Sequence, residues 1–158
     1  MRELAQLITS NRTNPRPLPK VTTAAQRAGV AYEKKVFVAL KNLASYLGAT
    51  VEHNPWFAFV DNNGPGLAVP DVVFTFDTVT IVIEVKLKYI PEARNKLTKL
   101  YMPLVMNETS SFNVKGLVIC KFLTPNALPT IDTLGDTLTF KNGIPVLPWN
   151  GKGKITWK

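Results

Sequence analysis

The chain is poor in the residues that build covalent and metal cross-links: it has a single cysteine and a single histidine. One thiol, Cys120, excludes an internal disulfide and any multi-cysteine zinc centre. It is compatible with a reducing compartment without requiring one. Cys120 ends the apolar run Gly116–Cys120 and reads as a buried core thiol. The lone His53 has no second histidine with which to make a His-rich zinc site. No apolar stretch reaches the ~18 residues that a membrane-spanning helix needs. The opening Met1-Arg2-Glu3 carries no signal-like apolar region, so a cytoplasmic location and no membrane partner are expected. Acidic residues are also scarce, with 11 Asp and Glu against 19 Lys and Arg.

That imbalance gives a net charge of +8 over 158 residues and a pI near 9.7. A surplus of this sign points to a polyanionic partner, because lysines and arginines gain by releasing the counterions of a phosphate backbone. An apolar fraction of 46% and a mean hydropathy of +0.04 exclude a mainly disordered chain. A chain of this length buries roughly 70% of its unfolded surface, enough for one proper core in one domain.

Residues 1–23 are expected to form a basic, proline-rich arm ahead of a domain over 24–158. Leu4, Leu7 and Ile8 have helical spacing and predict a short helix. Asn11–Lys20, with Pro15, Pro17 and Pro19 between Arg12, Arg16 and Lys20, reads as extended, since proline fixes φ and removes donors. It is either a leader or an arm lying along DNA or a partner subunit. Residues 24–47 read as a long helix, capped by Thr22 or Thr23 and stopped by Gly48. Its apolar face is Val36, Phe37, Leu40, Leu43, Ala44 and Leu47. Strands are predicted over 50–60, 70–76, 78–88 and 115–123, with a loop over 61–66 and a short turn at Asp77. A second helix is predicted from Pro91 to Met102, ended by Pro103. Thr137–Lys141 and Ile144–Leu147 flank Asn142-Gly143 and predict a hairpin, and residues 151–158 a basic tail. Helix, three strands, helix, strand predicts an α/β fold with a central mixed sheet flanked by helices.

The strand over 78–88 holds the chemistry. Alternation puts Ile81, Ile83, Val85 and Leu87 on one face and Val82, Glu84, Lys86 and Lys88 on the other. A carboxylate in a sheet is costly unless a cation or hydrogen bonds satisfy it. A solvent-facing, salt-bridged strand would be the ordinary explanation. Asp71 changes this, because a hairpin between the two strands brings it beside Glu84. Two carboxylates so placed must share a proton or hold a cation, and an all-oxygen site favours Mg²⁺ or Mn²⁺ over zinc. Glu33 lies three, four and seven residues before Val36, Phe37 and Leu40. It is either a boundary residue beside Lys34 and Lys35 or a carboxylate aimed at the sheet.

Glu33 on a first helix, Pro70-Asp71, then Glu84-Val85-Lys86 resembles the PD-(D/E)XK nuclease superfamily, as a pattern over residues 28–101. The strings Ala28–Glu33 and Ile83–Lys86 look like its helix and core-strand motifs. The resemblance implies a restriction-endonuclease-like fold and a Mg²⁺-dependent DNA endonuclease, with Mn²⁺ able to substitute. Asp71, Glu84 and the Val85 carbonyl would bind the metal, with Glu33 acting through water or a second ion. Lys86 would orient the attacking water and stabilise the phosphate. With Glu52 added, the order of residues is similar to the phage junction-resolving endonucleases of the endonuclease I type. That implies a Holliday junction resolvase acting as a homodimer in the cytoplasm of a bacterial host. A homing or repair-type nuclease, or a non-catalytic DNA-binding module on the same fold, is the alternative. Glu52 is otherwise a polar strand residue.

Lys88, Arg94, Lys96, Lys99 and Tyr101 concentrate charge and a polar ring after the catalytic strand and form the expected DNA-binding surface. An ordinary amphipathic helix with solvated lysines is the other reading. Leu97 departs from the family's exonuclease-like pattern, which has Gln there. His53 is a surface or packing histidine, or a DNA contact. Trp56, Trp149 and Trp157 are packing residues or base-stacking platforms.

Overall fold

Thr23 opens the long helix α1 (Ala24–Leu47) with a capping box. The Gln26 N–H donates to Thr23 Oγ1 at 3.1 Å, and Gln26 Oε1 accepts from the Thr23 N–H at 3.2 Å. Gly48 closes the helix at φ +69°, a left-handed conformation that costs glycine little. The chain around it, a computed structural model, describes residues 3–123 and 143–155.

The remaining elements are β1 (Leu7–Thr13), β2 (Thr50–His53), β3 (Trp56–Asp61), β4 (Gly64–Ala68), β5 (Val72–Phe76), β6 (Val79–Lys88), α2 (Pro91–Lys96), α3 (Met102–Thr109), β7 (Val114–Phe122) and β8 (Val146–Pro148). A π-helical turn over Leu97–Tyr101 joins α2 to α3. Two sheets result, one of order β2-β5-β6-β7-β8 and one of order β1-β3-β4. The larger sheet is mixed: β2, β5 and β6 are antiparallel neighbours, whereas β6, β7 and β8 run parallel. The expected α/β architecture with a mixed sheet between helices is therefore present.

Each face of the larger sheet has its own core. Tyr32, Val36, Leu40 and Leu43 of α1 pack on Val72, Phe74, Ile81, Ile83 and Val85. On the opposite face Val73, Val82 and Val118 meet Ala93, Leu97, Leu100 and Leu104. Phe57 and Phe59 of the smaller sheet join this second core.

Several elements differ from expectation. The helix expected around Leu4–Ile8 gives way to β1, which pairs antiparallel with β3. A lone short helix is marginal in water, and pairing satisfies the backbone of this stretch instead. The single strand expected over 50–60 is two, β2 and β3, in different sheets. They part at Asn54, whose φ of +51° turns the chain. The loop over 61–66 is a tight turn followed by β4, with Pro65 tolerated because β4 is an edge strand. Pro103 does not end the second helix. The Met102 N–H reaches back five residues to the Leu97 carbonyl, and this wider turn carries the helix past the missing proline donor. Val146–Pro148 lies parallel to β7 as β8, and the first arm of the hairpin expected around Asn142-Gly143 falls outside the described residues. Thr137–Lys141, Asn142 and Trp157 lie outside the described residues.

Candidate active site

The β5–β6 hairpin sets the geometry. It turns at Asp77 (φ +54°) and pairs Val72 with Ile83, so Asp71, just before β5, falls beside Glu84. Asp71 Oδ2 accepts from the Val85 N–H at 2.7 Å, and its carbonyl accepts from the Asn54 N–H at 2.8 Å. Glu84 is 2% exposed. Burial first, and then the neighbouring Asp71 carboxylate, push its carboxyl up to about 10, against the opposing pull of Lys86 and Lys96. Its Oε2 is buried without a hydrogen-bond partner. An orphaned carboxylate oxygen in a core is rare enough to need a reason.

Glu33 reaches the same place from α1. Its carboxyl is raised by burial first and by the Asp71 charge second, and lowered by His53 and then Lys86. His53 Nε2 lies 3.0 Å from Glu33 Oε1. The imidazole stacks on Phe37, ring centroids 4.5 Å apart and planes at 17°. His53 is thus a partner of Glu33 at the site's edge, which its lone occurrence in the sequence did not signal. The signal was positional: His53 pairs with Val72, next to Asp71.

Tyr101 is also turned inward. It is 8% exposed, and its phenol is held above its ordinary range by burial and then by the charges of Glu84 and Asp71. Leu97, fully buried one turn earlier, shows why: both lie on the stripe that packs against the sheet. Lys96 is half-buried and close enough to steady the Glu84 charge. Lys88 and Lys99 are exposed and Arg94 half-buried, and Lys99 lies 3.4 Å from Glu3.

Glu52 is not brought to the carboxylate pair. It meets Arg12 at 2.8 Å, and Arg12 bridges on to Glu108 at 2.6 Å, tying β1 and β2 to α3. Trp149 stacks at a tilt on Tyr32, centroids 6.1 Å apart, and Trp56 is half-buried on β3.

Among the described residues no three His, Cys, Asp or Glu side chains are grouped to cage a metal unaided. The donor set nevertheless fits Mg²⁺, which keeps several waters and is held by one or two carboxylates. Asp71 and Glu84 supply those, and the orphaned Oε2 would gain a partner. Among the described residues no helix is long and apolar enough to cross a membrane.

No family model matches the chain, and no curated protein does. Among solved structures it is similar to the crystal structure of protein VC1899 from Vibrio cholerae, with a TM-score of 0.54 at 14% identity over 81% of this chain. The match spans 32% of that protein's chain, so the likeness is one of fold, to about a third of a longer protein.

Proposed function

We propose that the chain is a metal-dependent DNA endonuclease of the PD-(D/E)XK type with a restriction-endonuclease-like fold. The observation that carries this reading is the Asp71–Glu84 pair, set side by side by the β5–β6 register, with a buried Glu84 oxygen left without a partner. A purely structural sheet gains nothing from such a group. The cation that fits there is Mg²⁺, which Asp71, Glu84 and the Val85 carbonyl would hold.

When bound, a divalent cation supplies Lewis acidity and charge neutralisation at the phosphate. Glu84 would hold it as the carboxylate. Lys86, on the same strand face and close enough to act on both Glu84 and Glu33, orients the attacking water and offsets charge gathering on the phosphate oxygens. Water adds to phosphorus, one ester bond breaks, and the departing oxygen takes up a proton. Glu33, held by His53, would act on this centre through water or a second ion. Cutting both strands of a duplex takes two such sites, which a homodimer supplies.

The test is incubation with supercoiled plasmid, linear duplex and a four-way junction, in Mg²⁺ or in EDTA. Cleavage in Mg²⁺, absent in EDTA and abolished by Lys86→Ala, is expected. Preference for the junction would assign the resolving subtype. A wild-type protein that cuts none of them in Mg²⁺ or Mn²⁺ sinks the reading.

A further inference from the structure

Helix α1 carries four cations, Arg27, Lys34, Lys35 and Lys41, and a single acid, Glu33, which is engaged with His53. Residues 149–155 run beside it and are pinned at both ends. Tyr32 Oη donates to the Trp149 carbonyl at 2.7 Å, and Ile155 is buried in the α1 core. Between the pins the chain turns through left-handed Gly151 and Gly153, at φ +87° and +78°. This leaves Lys152 and Lys154 exposed.

A groove lies between the two segments. At one end Lys34 and Lys35 face Trp149 and Gly151. At the other, Lys154 faces Tyr46. Ala39, Asn42 and Gly153 line both ends, so the groove is continuous. No acid lines it, and among the described residues none of its three lysines is in an ion pair. Tyr46 is 87% exposed and Val38 56%, an unusual outlay of apolar surface beside cations. Lysines that follow a backbone, together with an open aromatic face, are what a nucleic-acid single strand uses: phosphates on the cations and a base on the ring.

We infer that the groove between α1 and residues 149–155 binds a single strand of nucleic acid, with its phosphates on Lys34, Lys35 and Lys154 and a base against Tyr46. The site extends the nuclease reading by giving substrate a path, and it is tested without cleavage, in EDTA.

Fluorescence anisotropy with a labelled single-stranded oligonucleotide and a labelled duplex is the measurement. Lys35→Glu/Lys154→Glu is expected to weaken single-strand binding at least about 10-fold and to reduce the log–log salt slope by about 1.4, two phosphates' worth. Lys115→Glu/Lys121→Glu, the same charge change outside the groove, is expected to weaken it less than about 3-fold, since only the long-range field changes. Tyr46→Ala is expected to weaken single-strand binding about 5-fold or more, the scale of one lost stack, and to spare the duplex. If the reversed variant does not fold by circular dichroism, Lys35→Gln/Lys154→Gln takes its place, with the same change in slope and a smaller loss of affinity. Equal losses from both reversed pairs would overturn the groove, as would a wild type that binds anionic vesicles but no oligonucleotide. Intact single-strand binding with no cleavage in Mg²⁺ would refute the nuclease reading and leave the groove standing.

Discussion

Asp61 and Glu84 are each 2% exposed, yet they are buried on different terms. Asp61 closes the turn between β3 and β4. Its Oδ1 accepts from the Asn63 N–H at 2.9 Å and its Oδ2 from the Ala5 N–H at 3.1 Å. Both oxygens are satisfied by backbone, which is how a structural carboxylate is made tolerable inside a protein. Glu84 has a second carboxylate for a neighbour and one oxygen with nothing. Burial alone therefore does not mark a site. The mark is burial together with unmet bonding capacity, next to Lys86 and Lys96.

The largest expected difference is in activity. Glu84→Gln and Asp71→Asn should each lower the cleavage rate at least about 10²–10³-fold, the scale of losing one electrostatic stabiliser of the reacting phosphate. Asp61→Asn should leave the rate near wild type and instead destabilise the fold by about 1.5–3 kcal/mol. Plasmid-cleavage rates beside urea melts read both. Loss of activity in Asp61→Asn at full stability would erase the distinction.

Next comes a positioning effect. Glu33→Gln and His53→Gln should each reduce cleavage about 10-fold, as expected for groups that steady the residues around a centre rather than hold it. The reduction should appear in kcat, with KM for DNA unchanged. A matching rise in KM would make His53 a substrate contact instead.

The pH dependence of the metal-free fold reports on Glu84. The folded Glu84 carboxyl, near 10, lies far above its ordinary value of 4.5. The folded state therefore holds a proton that the unfolded chain has lost, and stability falls as pH rises between those values. Urea melts in EDTA at pH 6 and pH 9 should show that fall, and Glu84→Gln should flatten it. An equally steep fall in the variant would place the titration elsewhere.

The smallest effect is at Arg12, whose bridge to Glu52 and Glu108 is partly exposed. Arg12→Ala should destabilise by about 1 kcal/mol or less and leave cleavage unchanged. A large loss of cleavage would return Glu52 to the site.

What was legible in the sequence was what local chemistry decides. A threonine cap at Thr22 or Thr23 and a stop at Gly48 bound α1 by capping alone. The short turn at Asp77 sets the β5–β6 register, and with it the meeting of Asp71 and Glu84. The fates decided by tertiary partners were not legible. Leu7–Thr13 becomes a strand because β3 lies beside it, and Gly64–Ala68 pairs despite its glycines and proline because it borders only one strand. Tyr101 has the spacing of a helix face, but spacing does not say which face meets the sheet. His53 bears on Glu33 only because β2 ends beside Asp71.

The central claim is that Asp71 and Glu84 together hold a divalent cation, and calorimetric titration of the folded protein with Mn²⁺ tests it most directly. The account predicts one binding event in wild type and in Asp61→Asn, lost in both Asp71→Asn and Glu84→Gln. Binding that survives both substitutions, or is absent from wild type, would contradict it.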